Sequence, residues 1–345
     1  MNSISIFKLE QRNLAVPKYF ARLLIVGLGL LVVCIVASIL FGTRTLGLQD
    51  LLDGLFRPDV DSYEANIVRK RIARTVFSLC CGAALGVSGA VMQAITRNPI
   101  ADPGILGVNT GAALFVVAGI SFMNITTASQ YIGYAFAGSI LTAILVFGVS
   151  SMGNGGATPL KLVLAGAATS AALASLVTAI MLPRTSVMDQ FRYWQVGSVG
   201  GGDWDSVTVF IPFLLIGMII ALLTAPGLNA LALGDEAATG LGVRTGLLRL
   251  IAAFAGVLLC AVTTALAGPI GFVGLLATHV IRLLLGADIR YLIPMSALTG
   301  AVILTFSDVI GRLIGRPSEL EVGVLTAFIG APLLIVLAMK AKLRL

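Results

Sequence analysis

The chain has 345 residues, 58% hydrophobic and only 11% charged, with a mean hydropathy of +1.01 and a formal net charge of +7. A soluble chain carries roughly 25% charged residues, and large cores divide into domains instead of growing. A water-soluble fold is therefore excluded and the remaining solvent is lipid.

A spanning helix needs roughly 20 mostly apolar residues. Lys8, Arg12, Lys18 and Arg22 precede an apolar run from Leu23 to Gly42, which is long enough to be an uncleaved first span rather than a signal-peptide core. The same rule predicts spans near 23–42, 72–94, 105–123, 130–151, 160–183, 207–226, 246–268, 270–286, 292–313 and 322–339. This is an all-α integral membrane protein of about ten transmembrane helices. Between the second and third spans, Asn98-Pro99-Ile100-Ala101-Asp102-Pro103-Gly104 cannot continue a helix, so the chain turns there and dips toward the membrane. Gly268-Pro269 divides a double-length apolar stretch into a hairpin with almost no loop. Spans two to five and seven to ten form two groups of four that enter from opposite sides, a weak inverted repeat.

The chain is one transmembrane domain, 1–345, with an N-terminal tail at 1–22 and a polar loop at 229–245. With ten spans both termini share a side. That side holds 13 Lys and Arg against 5 acids, while the other holds 10 against 11. The bias places both termini in the cytoplasm, and the net charge reflects topology rather than nucleic-acid binding. Cys34, Cys80, Cys81 and Cys260 lie in apolar runs without metal or disulfide spacing, and read as small apolar side chains.

No catalytic arrangement is present. His279 is the single histidine, favoured as a packing residue, so neither a multi-histidine metal site nor a serine–histidine triad can form. There is no phosphate-binding Gly-x-x-x-x-Gly-Lys-Ser/Thr loop; ATP and magnesium, if used, are bound by another chain. In the polar loop, Gly234, Asp235, Glu236, Ala237, Ala238, Leu241 and Gly242 suggest a short surface helix with acids at its N-terminus. That helix is either an ordinary connection or a docking element. Arg69, Lys70, Arg71 and Arg74 cluster at the start of span two, and Arg312 and Arg316 stand at the end of span nine. They either snorkel to headgroups or engage a partner's carboxylates.

The stretches Arg71-Ile72-Ala73-Arg74-Thr75, Gly82 to Gln93, Arg97 to Gly107, Tyr193-Trp194-Gln195-Val196-Gly197-Ser198, Ala267 to Leu275 and Glu319 to Ala327 closely resemble the iron–siderophore and vitamin B12 ABC importer permeases. The resemblance implies the type II importer permease fold, a dimer of this chain with itself or a homologous chain, two cytoplasmic ATPase subunits and an extracytoplasmic binding protein. It implies binding-protein docking by Arg71, Arg74 and Arg312, ATPase coupling by Gly234 to Gly242, and a cytoplasmic gate at Thr158, Pro159 and Leu160. Gln93, Asn98 and Asn109 are candidate pathway groups, and no metal site is implied. The implied function is ATP-driven alternating access for a ferric siderophore in a bacterial cytoplasmic membrane, with haem or cobalamin as alternatives. Ala73, Thr278 and Glu321 each replace a proline of the family pattern, and Ala73 is expected to loosen the start of span two. A secondary transporter would need a buried acid at mid-membrane; Asp308 is the one candidate and lies near a span end.

Overall fold

The computed structural model describes residues 3–42, 47–57, 62–153 and 157–342; positions 1–2 of the expected tail lie outside these. Among the described residues every regular element is helical. Ten apolar helices fall where the ten spans are expected: α1 (Ser3–Leu40), α3 (Tyr63–Thr96), α4 (Val108–Met123), α5 (Ala128–Ser151), α6 (Pro159–Met181), α8 (Trp204–Leu231), α10 (Thr245–Ala267), α11 (Val273–Leu285), α12 (Ile289–Ile314) and α13 (Val322–Lys342). Three short helices complete the fold: α2 (Leu48–Phe56) and α7 (Thr185–Gln195), which the sequence did not announce, and α9 (Asp235–Gly240), expected as a short surface helix.

Seven of the ten apolar helices are long and apolar enough to cross a membrane, and α4, α11 and α13 are shorter apolar segments. The protein is a multi-pass membrane protein. Alternate helix ends gather at two opposite ends of the bundle: α1 and α12 stop at one, called here the α2 end, and α3 stops at the other, the α9 end.

The second span begins earlier than expected. Ser62 caps α3 through its side chain, accepting from the Ala65 amide at 3.1 Å, and Glu64 follows in the first turn. Arg69, Lys70, Arg71 and Arg74 therefore lie inside a 34-residue helix rather than ahead of it. At 1.5 Å per residue that helix is about 51 Å long, against a hydrocarbon layer of about 30 Å, so its polar first turns project beyond it. Ala73 does not loosen this region: it is 4% exposed in an unbroken helix, as suits the best helix former.

Helix α3 is the central post, with α10 antiparallel beside it and α12, α11 and α8 around it. The hydrophobic window of α3 is 78% buried, as is that of α10, whereas that of α6 is 6% and that of α1 is 11% buried. Small residues set the closeness of the centre. A Cβ on Gly89 would come within 2.6 Å of the Gly274 backbone on α11, and Gly82 and Gly86 meet the α12 backbone at Gly300 and Ser296. Phe77 and Phe210 pack edge-on at 6.2 Å near the α2 end.

Candidate functional site

The two halves are interrupted at corresponding places. Arg97, in the left-handed conformation, ends α3, and a 3-10 turn over Pro103–Leu106 precedes α4. In the second half, residues 268–272 separate α10 from α11, which has only 13 residues, about 20 Å. Irregular backbone at membrane depth must be covered by protein or line a wet cavity, and here Ala101, Pro103 and Leu106 are buried. Asp102 is half-buried; its carboxylate accepts from the Gly104 amide at 2.8 Å, and the Phe272 amide faces the same carboxylate. The two broken segments, arriving from opposite ends, meet at this one side chain.

Three sequence stretches singled out above converge on the second break. Ser198 donates its amide to Ala267 O at 2.7 Å and Gly323 donates to Gly197 O at 3.0 Å. Gly197 and Gly268 adopt φ of +74° and +75°, and a side chain on Gly197 would run into the Pro269 carbonyl, one on Gly268 into the Trp194 carbonyl.

At the α2 end, the three arginines expected to dock a partner come together around a cavity of about 460 Å³, with Lys70, Asp203 and Glu319 also lining it. Two of them are deeply engaged. Arg71 donates to Ile39 O and Leu40 O at 3.0 and 3.1 Å. Arg312, 2% exposed, donates to Ser38 O, Phe41 O and Ser38 Oγ at 3.0, 3.1 and 2.8 Å. Arg316 reaches Gly42 O. The last carbonyls of α1, which no helix can satisfy internally, are thus served by cations that also suit the negative helix end. Arg74 faces the cavity and pairs with Asp308 at 2.6 Å and Glu319 at 2.7 Å, while Asp308 also pairs with Arg312 at 3.0 Å.

Asp308 is 3% exposed and is committed to two guanidiniums, so the acid that the sequence offered for ion coupling is held in a charge cluster. The Asp308–Arg312 spacing of four on one helix was the available sequence signal. Replacing Asp308 with Asn leaves two arginines without their buried counter-charge, and breaking such a pair costs about 3–5 kcal/mol. The expected result is a markedly lower thermal midpoint of the detergent-solubilised protein; a midpoint equal to wild type would mean that Glu319 alone balances the cluster.

At the α9 end, Arg249 donates through both terminal nitrogens to Asp235 at 2.9 and 2.8 Å, and Arg97 pairs with the same carboxylate. Hydrogen bonds from Arg249 hold the Asp235 carboxyl below the ordinary carboxylate range, with the charges of Arg249 and Arg97 adding to the effect. Helix α9 is thereby tied to the end of α3 and the start of α10. Ala238 is buried beneath it, while Glu236, Ala237, Gly242 and the large side chains Leu233 and Leu241, 70% and 65% exposed, face outward. Gly234 precedes α9 at φ +116° and Gly242 follows at φ +82°. Sequence reasoning found α9 but not its anchors, Arg97 and Arg249.

Thr158 caps α6 by accepting from the Lys161 amide at 3.4 Å, Pro159 occupies its first position, and Leu160 is 68% exposed. The three candidate pathway groups have separate partners: Gln93 accepts from Arg282 at 2.9 Å, Asn98 accepts from the Ile100 amide at 3.1 Å, and Asn109 accepts from Thr264 at 3.0 Å. Among the described residues no group of three His, Cys, Asp or Glu side chains could hold a metal.

Comparison with known proteins places this architecture. A model of the FecCD transport family matches residues 30–340. The ferric enterobactin transport system permease protein of Escherichia coli is 41% identical over 90% of this chain and 93% of its own. The Fe(3+)-citrate import system permease protein YfmD of Bacillus subtilis is 40% identical over 87% and 89%, and the hemin transport system permease protein of Yersinia pestis is 35% identical over 79% and 82%. A solved inward-facing metal-chelate type ABC transporter superposes with a TM-score of 0.80 at 30% identity, covering 94% of this chain and 99% of that one.

Proposed function

The chain belongs to the FecCD transport family, and from that membership we propose that it is the permease subunit of an ATP-driven importer of ferric siderophores. It works by alternating access in a bacterial cytoplasmic membrane, with the α9 end and both termini cytoplasmic. ATP and magnesium are bound by two separate ATPase subunits. The observation that carries this reading is α9. A six-residue helix is flanked by two exposed leucines, Leu233 and Leu241, and is bound through Asp235 to the ends of two central helices. A helix so placed passes a partner's movement into the bundle.

The remaining partners follow from the uncovered surfaces. Helix α6, almost bare in a single chain and rich in alanine, suits close packing against a second permease chain, with Thr158, Pro159 and Leu160 as the gate at its start. The cavity floored by Arg71, Arg74 and Arg312 receives an extracytoplasmic binding protein. Gln93, Asn98 and Asn109 remain the pathway groups of this reading. Ferric chelates are favoured as cargo because the relatives named for enterobactin and citrate match over more of this chain than the one named for hemin.

The test is uptake of a panel of iron-labelled chelates, with hemin and cobalamin included, by cells lacking and then regaining this chain. Uptake of a ferric siderophore that requires both this chain and ATP is expected. Uptake that persists when ATP is depleted but an ion gradient is maintained would overturn the proposal.

A further inference from the structure

The α9 end of the α3–α11 boundary carries buried polar atoms that the fold does not use. Gln93 is 1% exposed on α3 and spends its carbonyl oxygen on Arg282 Nη2, yet its amide Nε2 is buried and unpartnered. Arg282 Nε is likewise buried and unpartnered, as is Nδ1 of His279, three residues earlier on α11. Buried polar groups are almost always satisfied, so three orphans on neighbouring side chains need an explanation.

Charge sharpens the point. Arg74, Arg249 and Arg312 each pair with an acid, and buried Arg71 is held by the helix-end carbonyls of Ile39 and Leu40. Arg282 pairs with no carboxylate among the described residues; its partner is the neutral amide of Gln93. The site is therefore cationic and holds two unused donors, Gln93 Nε2 and Arg282 Nε. A guanidinium fork beside an amide N–H suits the planar or tetrahedral oxygens of an anion, through charge-assisted hydrogen bonds.

We propose that Gln93, His279 and Arg282 form a binding site for a single oxyanion, a carboxylate or a phosphate. Two sources share this chemistry: a carboxylate of a soluble chelate leaving the pathway, or the headgroup phosphate of a lipid. The first source rests on the transport reading. The site itself does not, because its test reads binding rather than uptake.

The experiment is thermal denaturation of the full chain in nonionic detergent, titrated with citrate, inorganic phosphate or short-chain phosphatidylglycerol, with chloride holding ionic strength constant. Wild type is expected to gain several degrees with at least one of these. R282Q should abolish the gain, R282K should keep part of it, and Q93M should weaken apparent affinity about tenfold, the worth of one charge-assisted hydrogen bond. A gain with citrate or phosphate identifies a soluble oxyanion; a gain with the lipid alone identifies the headgroup. Absence of any gain in wild type, or a full gain in R282Q, overturns the site. Should R282Q fail to fold, R282K and Q93M decide, and wild-type affinity in both overturns it equally.

Discussion

Asp235→Lys is expected to leave the chain inserted in the membrane and to abolish uptake. Asp235 receives two hydrogen bonds from Arg249, whose side chain is only 4% exposed, and pairs with Arg97 as well. Reversing its charge sets three cations against one another and frees α9 from both central helices. Asp235→Asn retains an acceptor but loses the charge, and hydrogen bonds to charged groups contribute about 1.5–3 kcal/mol, so a partial defect is expected. The measurement is uptake together with ATP hydrolysis by reconstituted transporter. Hydrolysis without uptake in the lysine variant supports a broken connection inside the permease; normal uptake would remove α9 from the transport cycle.

The pH dependence follows from the same contacts. A carboxyl held below its ordinary value keeps its ion pairs at every pH above that value and loses them only as pH falls through it. Between about pH 5 and 8, Asp235 is therefore fully ionised and no change in coupling should arise from it.

The largest effect on folding is expected at Gly86 and Gly89. A Cβ on Gly89 meets the backbone of Gly274 at 2.6 Å, and one on Gly86 meets the Ser296 carbonyl. Backbone cannot rotate away as a side chain does, so even alanine forces α3 apart from α11 or α12. Losses above about 4 kcal/mol arise from such overpacking, and Gly86→Val or Gly89→Val should leave little folded protein in the membrane. Gly29→Ala is the internal control, since nothing lies within 4 Å of its added methyl; it should be neutral or stabilising by about 0.5–1 kcal/mol. If the Gly89 and Gly29 variants behave alike, the close approach of α3 and α11 is not what holds the bundle together.

The ten spans were legible because hydropathy over a 20-residue window is a local property. Pro99, Pro103, Gly268 and Pro269 likewise announced both interruptions without reference to anything distant. What was not legible depends on pairing. That Asp102 would face Phe272, or that Arg97 and Arg249 would share Asp235 across 138 and 14 residues, is set by which helices pack together. Arg71 and Arg312 were singled out as surface groups, yet they also turn inward onto α1, because helix-end carbonyls compete for the same donors as a partner would. Helix α3 extended past its predicted start because a cap and a polar first turn, rather than hydropathy, decide where a helix begins.

The seat of α1 has a consequence in time. Its Ser38 carbonyl depends on Arg312, 274 residues further along the chain. A ribosome adds about 5–20 residues per second, so roughly 14–55 s separate the synthesis of Ser38 from that of its partner. Throughout that interval Arg71, through Ile39 O and Leu40 O, holds the end of the first span without Arg312. The seat is completed late in biogenesis, when α12 arrives.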